Sequence, residues 1–282
     1  MTAGGDTRAI IVTGADQAFS RALAQLLLSA RRKGDDARYR WIVYDLGIDA
    51  DRLAALRARF DWCDWRRVPF EDLPGFYAPR TRSFAWKPWA IWQVLADAQA
   101  PVLWMDSATI IRGDLQEVFD FVRAHGFYVA LGQAAIRDRC EPAVMDRLGF
   151  ARDLADMREG VANFIGFDPQ HAVARGVARD WEMHARDADL LLPAKRTIAR
   201  HMNDQAVLNC LVMPLVAAGR LRLPNVDTDI SAGRPFRVVS TRNKLAPNVP
   251  LWADPLVRAR YWLEKAADQA LWRLKDWWRG EK

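Results

Sequence analysis

The sequence feature that most restricts the fold is an alternation of short apolar runs with helical repeats over the first third of the chain. The runs have the length of buried strands, and the segments between them have apolar residues at helical spacing. The runs lie at residues 8–13, 40–44 and 101–105, and the helical segments at 17–30, 49–60 and 83–98. Because parallel strands need long crossover connections, usually helices, this order predicts an α/β fold. We expect a mainly parallel central sheet with helices on both faces.

Composition and cysteine spacing argue against a disulfide-stapled secreted domain and a zinc-finger protein. Hydrophobic residues make up 51% of the chain and charged residues 27%, which is typical of a globular protein. The first residues lack the basic and apolar regions of a signal peptide. Three widely separated cysteines form neither a disulfide framework nor a C-x-x-C metal motif. We therefore expect a cytoplasmic protein in a reducing compartment.

The positive charge of the chain favours an anionic partner. The net charge is +6, but no nucleic-acid recognition motif accompanies it, so we expect no nucleic-acid partner. Residues 251–282 are rich in Trp and Arg, and within them residues 257–279 have one apolar helical face. We predict one large domain at 1–250 followed by this amphipathic helix. The helix suits an anionic membrane surface, to which the protein would bind peripherally; docking of the helix on the domain is the alternative.

The first strand-to-helix turn resembles two different enzyme classes. Residues 11–22 (IVTGADQAFSRA) begin like a short-chain dehydrogenase, whose glycines let the backbone approach a dinucleotide. Ala18 and Ser20 occupy the later glycine positions and would block that approach. An NAD(P)-dependent oxidoreductase therefore stays the less favoured alternative.

The same segment also resembles the first strand and loop of nucleotide-sugar glycosyltransferases with the GT-A fold. That resemblance implies a nucleotide-binding floor formed by four successive residues, namely Thr13, Gly14, Ala15 and Asp16. The Asp16 carboxylate equally suits the cap of the following helix.

The most informative segment is residues 102–120 (VLWMDSATIIRGDLQEVFD). It resembles the core block of glycosyltransferase family 8, in which a strand ends in Asp-x-Asp. The resemblance implies that Asp106 and Ser107 contact the donor and that Asp106 binds Mn²⁺ or Mg²⁺. Ala108 stands in place of the second aspartate and cannot bind a metal, so metal dependence stays open.

Basic residues offer another way to balance the charge of a diphosphate. Residues 233–245 (GRPFRVVSTRNKL) contain four bases and no acid. We predict that Arg242 and Lys244, together with Lys87, contact the diphosphate in place of a metal. A solvated basic loop is the alternative.

Two later segments extend the family resemblance. Residues 201–210 (HMNDQAVLNC) are similar to the helix that faces the sugar, which implies catalytic roles for Asp204 and Gln205. Asp204 is also suited to cap that helix. Residues 160–169 (GVANFIGFDP) resemble the strand after the acceptor loop, and this implies a sugar contact for Asn163.

Together these segments predict a hexosyltransferase of polysaccharide biosynthesis. The resemblance implies a UDP-sugar donor, a saccharide or lipid-linked acceptor, and retention of the anomeric configuration. A nucleotide-sugar-binding protein without catalysis is the alternative, because Ala108 removes a metal ligand.

Overall fold

The computed structural model describes residues 7–224 and 238–240, and in this part of the chain strands and helices alternate. The strands are β1 (Ile10–Ala15), β2 (Arg40–Asp45), β3 (Asp64–Arg67), β4 (Val102–Met105), β5 (Thr109–Ile111), β6 (Phe127–Ala135), β7 (Arg158–Phe167) and β8 (Val238–Ser240). The helices are α1 (Ser20–Lys33), α2 (Asp35–Arg38), α3 (Ala50–Arg59), α4 (Trp86–Leu95), α5 (Gln116–His125), α6 (Pro142–Arg147), α7 (Ala172–His184), α8 (Ala188–Leu191) and α9 (Asn203–Ala217).

Six strands form the central sheet, in the order β3-β2-β1-β4-β7-β6, and β5 pairs with β8 in a separate two-stranded sheet. The pairs among β1, β2, β3 and β4 are parallel, whereas β7 is antiparallel to both β4 and β6. β7 therefore runs against the other five strands. The predicted α/β fold with a mainly parallel sheet is confirmed.

Helices cover both faces of the sheet, as expected. Ile10 and Val12 of β1 belong to one hydrophobic cluster, which includes residues of α4, α7 and α9. Ile11 belongs to a second cluster on the other face, built with residues of α1 and α5. Because successive side chains of a strand point to opposite faces, an almost continuous apolar run serves both clusters.

The strands and helices predicted in the first third of the chain are present, with small shifts at their ends. β1 ends at Ala15, and a short 3-10 turn at Gln17–Phe19 precedes α1. α4 is shorter than predicted at both ends, because it begins at Trp86 and ends at Leu95.

The N-terminal half of β7 extends past the end of β4. Side chains from other elements can therefore bond to its backbone there, where β4 no longer does. The pairing of the two strands runs from Val102 with Phe167 to Met105 with Phe164. One more bond follows, from the Asp106 N–H to the Asn163 carbonyl at 2.9 Å. On the N-terminal side of Asn163, no strand among the described residues pairs with the edge of β7 that faces away from β6.

Several predictions fall outside the described residues. These are the structure of residues 251–282, the amphipathic helix at 257–279, and the positions of Arg242 and Lys244. Within the described ranges, no helix has both the length and the apolar character needed to cross a membrane.

Candidate active site

The strand order predicts a binding crevice at the carboxyl ends of β1 and β4. The chain leaves β1 toward β2 and β3 on one side, and returns to β4 on the other side. In open α/β sheets, ligands bind outside the carboxyl ends of the strands at such a switch of direction. The residues that follow the two strands, Asp16 and Asp106, therefore border the expected binding crevice.

A buried lysine joins two carboxylates at this point. The Lys87 ammonium nitrogen lies 3.2 Å from Asp106 Oδ1 and 3.4 Å from Asp204 Oδ2. The Lys87 and Asp204 side chains are 7% and 5% exposed, whereas that of Asp106 is 35% exposed. Asp106 is thus the solvent-facing end of a charged triad formed by Asp106, Lys87 and Asp204.

The triad has two negative groups and one positive group in a mostly buried place. Burial lowers the pKa of Lys87, but the carboxylates of Asp106 and Asp204 outweigh this effect and raise it. Burial raises the pKa of Asp204 to about 6, against the effect of Lys87 and with that of Asp106. One ammonium group cannot fully balance two carboxylates, so the more deeply buried carboxylate retains an energetic cost.

Two indole groups hold the Asp106 carboxylate and the Asp204 backbone in place. The Trp104 indole N–H donates to Asp106 Oδ1 at 2.7 Å. The Trp181 indole N–H donates to the Asp204 backbone carbonyl at 2.8 Å. Asp204 does not cap α9, because that helix begins at Asn203 with Met202 at the cap position and no side-chain cap bond.

Side chains of the site also complete the hydrogen bonding of β7. Lys87 donates to the Ala162 carbonyl at 3.2 Å, and the Ala162 N–H donates to Gln205 Oε1 at 3.0 Å. The Gly160 N–H donates to Asn209 Oδ1 at 2.6 Å, and Asn209 Nδ2 donates to the Gly160 carbonyl at 2.9 Å. These side chains supply the hydrogen bonds that a neighbouring strand would otherwise make with β7 beyond the end of β4.

Both ends of the Gln205 amide are hydrogen-bonded in this arrangement. Its oxygen accepts from β7, and its nitrogen donates to Glu159 Oε2 at 2.5 Å. Burial raises the pKa of Glu159, an effect that Arg139 opposes from 3.6 Å. Gln205 is 5% exposed, so it joins α9 firmly to β7 beside the triad.

The residues predicted to form the nucleotide floor lie at the end of β1. Thr13 is fully buried, and its hydroxyl has no hydrogen-bond partner among the described residues. Gly14 packs closely on β2, because a Cβ atom there would lie 3.3 Å from the Tyr44 carbonyl oxygen. Ala15 is 1% exposed. Asp16 is a capping group, as the sequence suggested, but it caps the 3-10 turn at Gln17–Phe19 before α1: its Oδ1 accepts from the Phe19 N–H at 3.0 Å.

The other predicted donor contacts lie next to Asp106. Ser107 is 5% exposed, and the backbone carbonyl of Asn163 is bonded to the Asp106 N–H. The structure thus brings Asp106, Ser107 and Asn163 together with Lys87 and Asp204. Their contacts with a donor stay predictions.

The described residues do not fit the divalent cation that the resemblance implies. One oxygen of Asp106 is shared by the Trp104 indole and the Lys87 ammonium group, and a cation there would lie close to that positive charge. Ala108 supplies no ligand. Within residues 7–224 and 238–240, no three His, Cys, Asp or Glu side chains lie together as a metal site.

Strained backbone surrounds the triad. Among the described residues, three that are not glycine have positive φ angles: Arg82 at 58°, Phe84 at 58° and Asn203 at 48°. Two precede Lys87 within five residues, and the third precedes Asp204 directly. Such conformations cost about 1–3 kcal/mol each and concentrate at functional sites.

Sequence reasoning missed four residues of this site. Glu159 and Asn209 lie on elements that the resemblance did identify, but nothing in their spacing shows that they pair with Gln205 and Gly160. Trp104 reads as one more apolar residue of a strand. Phe84 gave no signal, since Ala85 and Trp86 follow it and it looks like one more apolar residue near the start of a helix.

Comparison of the sequence with known proteins gives no match to a family model or to a curated protein. Comparison of the structure with solved structures does give matches. An active-site mutant of LgtC has a TM-score of 0.52 at 16% identity, over 92% of this chain and 95% of that one. Core-mannan synthase A from Aspergillus fumigatus, with Mn and GDP, has a TM-score of 0.52 at 9% identity, over 79% and 74%.

A third solved structure is LgtC, a galactosyltransferase, in complex with donor and acceptor sugar analogues. It has a TM-score of 0.47 at 18% identity, over 72% of this chain and 70% of that one. At such low identities a structural likeness speaks for architecture. Together with the strand order, the two matches above 0.5 show that the chain has the GT-A fold of glycosyltransferases.

Proposed function

We propose that this protein is a glycosyltransferase that transfers a sugar from a nucleotide diphosphate, in the first place a UDP-sugar, to a saccharide or lipid-linked acceptor. In that reaction the bond between sugar C1 and the diphosphate oxygen breaks and the acceptor oxygen bonds to C1. The acceptor proton leaves with the diphosphate or to solvent.

The observation that carries the proposal is the triad at the switch point of a GT-A sheet. Asp106 follows β4, Lys87 comes from α4 and Asp204 from α9. The Lys87 ammonium nitrogen lies 3.2 Å from an Asp106 oxygen and 3.4 Å from an Asp204 oxygen. Maintaining buried charges is costly, and perturbed carboxyl groups in a crevice are typical of functional sites.

Lys87 has a different role in this proposal from a direct diphosphate contact. Its ammonium group has three N–H donors and three acceptors nearby: the Ala162 carbonyl and the carboxylates of Asp106 and Asp204. We infer that Lys87 positions the two carboxylates. In this proposal Arg242 and Lys244, which lie outside the described residues, balance the negative charge of the diphosphate.

Asp106 and Asp204 would hydrogen-bond to hydroxyl groups of the donor, as fixed carboxylate acceptors. Gln205 follows Asp204 on α9 and, if its amide exchanges a partner, would stabilise positive charge at C1 in the transition state. We propose retention of configuration on the family resemblance alone.

Thermal-shift titrations with UDP, each with Mn²⁺ and with EDTA, test donor binding. A ligand at 100 times its Kd adds about 2.7 kcal/mol, so we expect the Tm to rise by several degrees, in EDTA as well as in Mn²⁺. If UDP has no effect in either condition, the donor proposal fails. A shift with NADH instead would favour the oxidoreductase.

A transfer or donor-hydrolysis assay tests catalysis. We expect Asp204→Asn to lower kcat by about 100-fold while UDP still raises the Tm. Asp120→Asn is the matched control, since that side chain is 61% exposed on α5, away from the triad. Equal activity of the Asp204→Asn variant and wild type would remove Asp204 from the reaction.

A binding protein without catalysis is the second candidate, and Ala108 favours it because it cannot supply the usual metal ligand. UDP-sugar binding with no turnover across a panel of UDP-sugars would select it.

Peripheral binding to anionic membranes through residues 257–279 is a separate proposal, which vesicle flotation of the full chain tests.

A further inference from the structure

Phe84 is an exposed aromatic side chain in contact with Lys87 of the triad. Of the large hydrophobic residues described, only Phe84 and Met183 are exposed, at 38% and 53%. The Lys87 ammonium nitrogen lies 5.6 Å from the centroid of the Phe84 ring. The same nitrogen is 3.2 Å from the partly exposed carboxylate of Asp106. An exposed apolar ring and a partly exposed carboxylate therefore both flank the Lys87 ammonium group.

The backbone holds Phe84 in this place against its own preference. Its φ of 58° is a left-handed conformation that bulky side chains rarely adopt. Both neighbours are fixed: the Ser83 hydroxyl donates to the Phe76 carbonyl and accepts from the Ala85 N–H at 3.1 Å. The Lys87 N–H donates to the Phe84 carbonyl at 2.9 Å. A glycine would occupy this position without strain, so the phenyl ring is retained at a cost.

We propose that the Phe84 ring is a platform for a pyranose ring of the substrate. The inference rests on the proposed glycosyltransferase function and specifies its sugar subsite. A pyranose has one face rich in C–H bonds, which packs on an aromatic ring, and a rim of hydroxyl groups, which bind carboxylates. Phe84 supplies the first surface and Asp106 the second.

A structural role is the competing explanation. The phenyl ring contacts the Lys87 cation, and this cation–π contact alone would explain an aromatic residue there. This explanation predicts that loss of the ring disturbs the triad, and with it every ligand equally. The platform predicts a loss that is specific to the sugar.

The test compares UDP with UDP-glucose, UDP-galactose and UDP-N-acetylglucosamine by calorimetric titration of the full chain. For Phe84→Ala we expect the preferred UDP-sugar to bind about tenfold more weakly and UDP to bind within about twofold of wild type. Met183→Ala, the other exposed apolar residue, is the matched control and should change neither affinity. An equal loss for UDP and UDP-sugar would overturn the platform.

The pyranose can belong to the donor or to the acceptor, and a second arm separates them. Methyl β-glucoside and methyl β-galactoside are probed by saturation-transfer NMR in the presence of saturating UDP. If Phe84→Ala loses the glycoside signals but keeps the wild-type affinity for UDP-sugars, the platform lies in the acceptor subsite. Unchanged signals together with unchanged UDP-sugar affinity overturn the proposal.

Phe84→Gly separates loss of contact from loss of folding. Glycine accepts the positive φ, so this variant should have a higher Tm than Phe84→Ala and the same weakened sugar binding. Wild-type sugar affinity in this variant would overturn the platform. If wild type itself binds neither UDP nor a UDP-sugar, the proposed function has failed, and the platform fails with it.

Discussion

The two sides of the crevice are built in different ways. At the end of β1, Asp16 is a local cap whose partner, Phe19, is three residues away. At the end of β4, Asp106 belongs to a triad whose members, Lys87 and Asp204, come from α4 and α9. The first side is folded by neighbours in sequence, and the second exists only after distant segments have packed.

This difference decides how much each side contributes to stability. A capping carboxylate at the surface can be replaced by water with a modest loss. A buried ion pair loses far more when one partner is removed, since the remaining charge has neither water nor a counter-ion. The triad is therefore the more fragile side of the site.

Removal of Lys87 should have the largest effect. We expect Lys87→Met to lower the free energy of unfolding by about 3–5 kcal/mol at pH 7, because two carboxylates are left without their cation. Denaturant unfolding measures the change. Arg67→Ala is the control, since it breaks an ion pair with Glu71 whose side chains are 69% and 52% exposed. That loss should be under about 0.5 kcal/mol, and equal losses for the two variants would contradict the difference between the sides.

The pH dependence of stability should show the free-energy cost of ionising the buried Asp204 carboxyl group. The folded carboxyl group keeps its proton up to about pH 6, whereas the unfolded one loses it near pH 3.8. The folded state binds more protons in this window, so this group makes stability fall as pH rises from about 4 to about 6. Asp204→Asn removes that slope and should gain up to about 3 kcal/mol on wild type across the window. Parallel curves for the two proteins would show that Asp204 has an ordinary pKa.

Loss of the Asp16 cap should have the smallest effect of the three. We expect Asp16→Ala to lower the free energy of unfolding by about 1 kcal/mol, and Asp16→Asn to lower it by much less, because asparagine also caps helices. Urea unfolding of both variants measures this. A loss for Asp16→Ala as large as that for Lys87→Met would mean that the two sides are equally dependent on buried charge.

The same contrast explains what the sequence could predict. Strands β1, β2 and β4 and helix α1 are visible as apolar patterns, because their periodicity follows from covering both faces of a sheet. The positions of Asp16 and Asp106 at strand ends follow from that pattern. The GT-A fold was accessible through the resemblance of a few such segments.

The rest of the site depends on three-dimensional proximity that no spacing expresses. Glu159 and Gln205 are 46 residues apart, and Lys87 and Ala162 are 75 residues apart. The sulfur atoms of Cys140 and Cys210 lie 3.7 Å apart across 70 residues, although the three cysteines appear unrelated in the sequence. A single sequence has no record of such pairs, so the residues around Asp204 and Gln205 had to come from the structure.

The polar side chains along β7 have a consequence for how this site can change in evolution. Gly160 and Ala162 are buried against α9, where water cannot replace a lost hydrogen bond. Asn209 bonds to both backbone groups of Gly160, and Gln205 accepts from the Ala162 N–H. A descendant that lost the chemistry of this site would still need polar side chains at these two positions, because apolar replacements would leave buried backbone groups without hydrogen-bond partners.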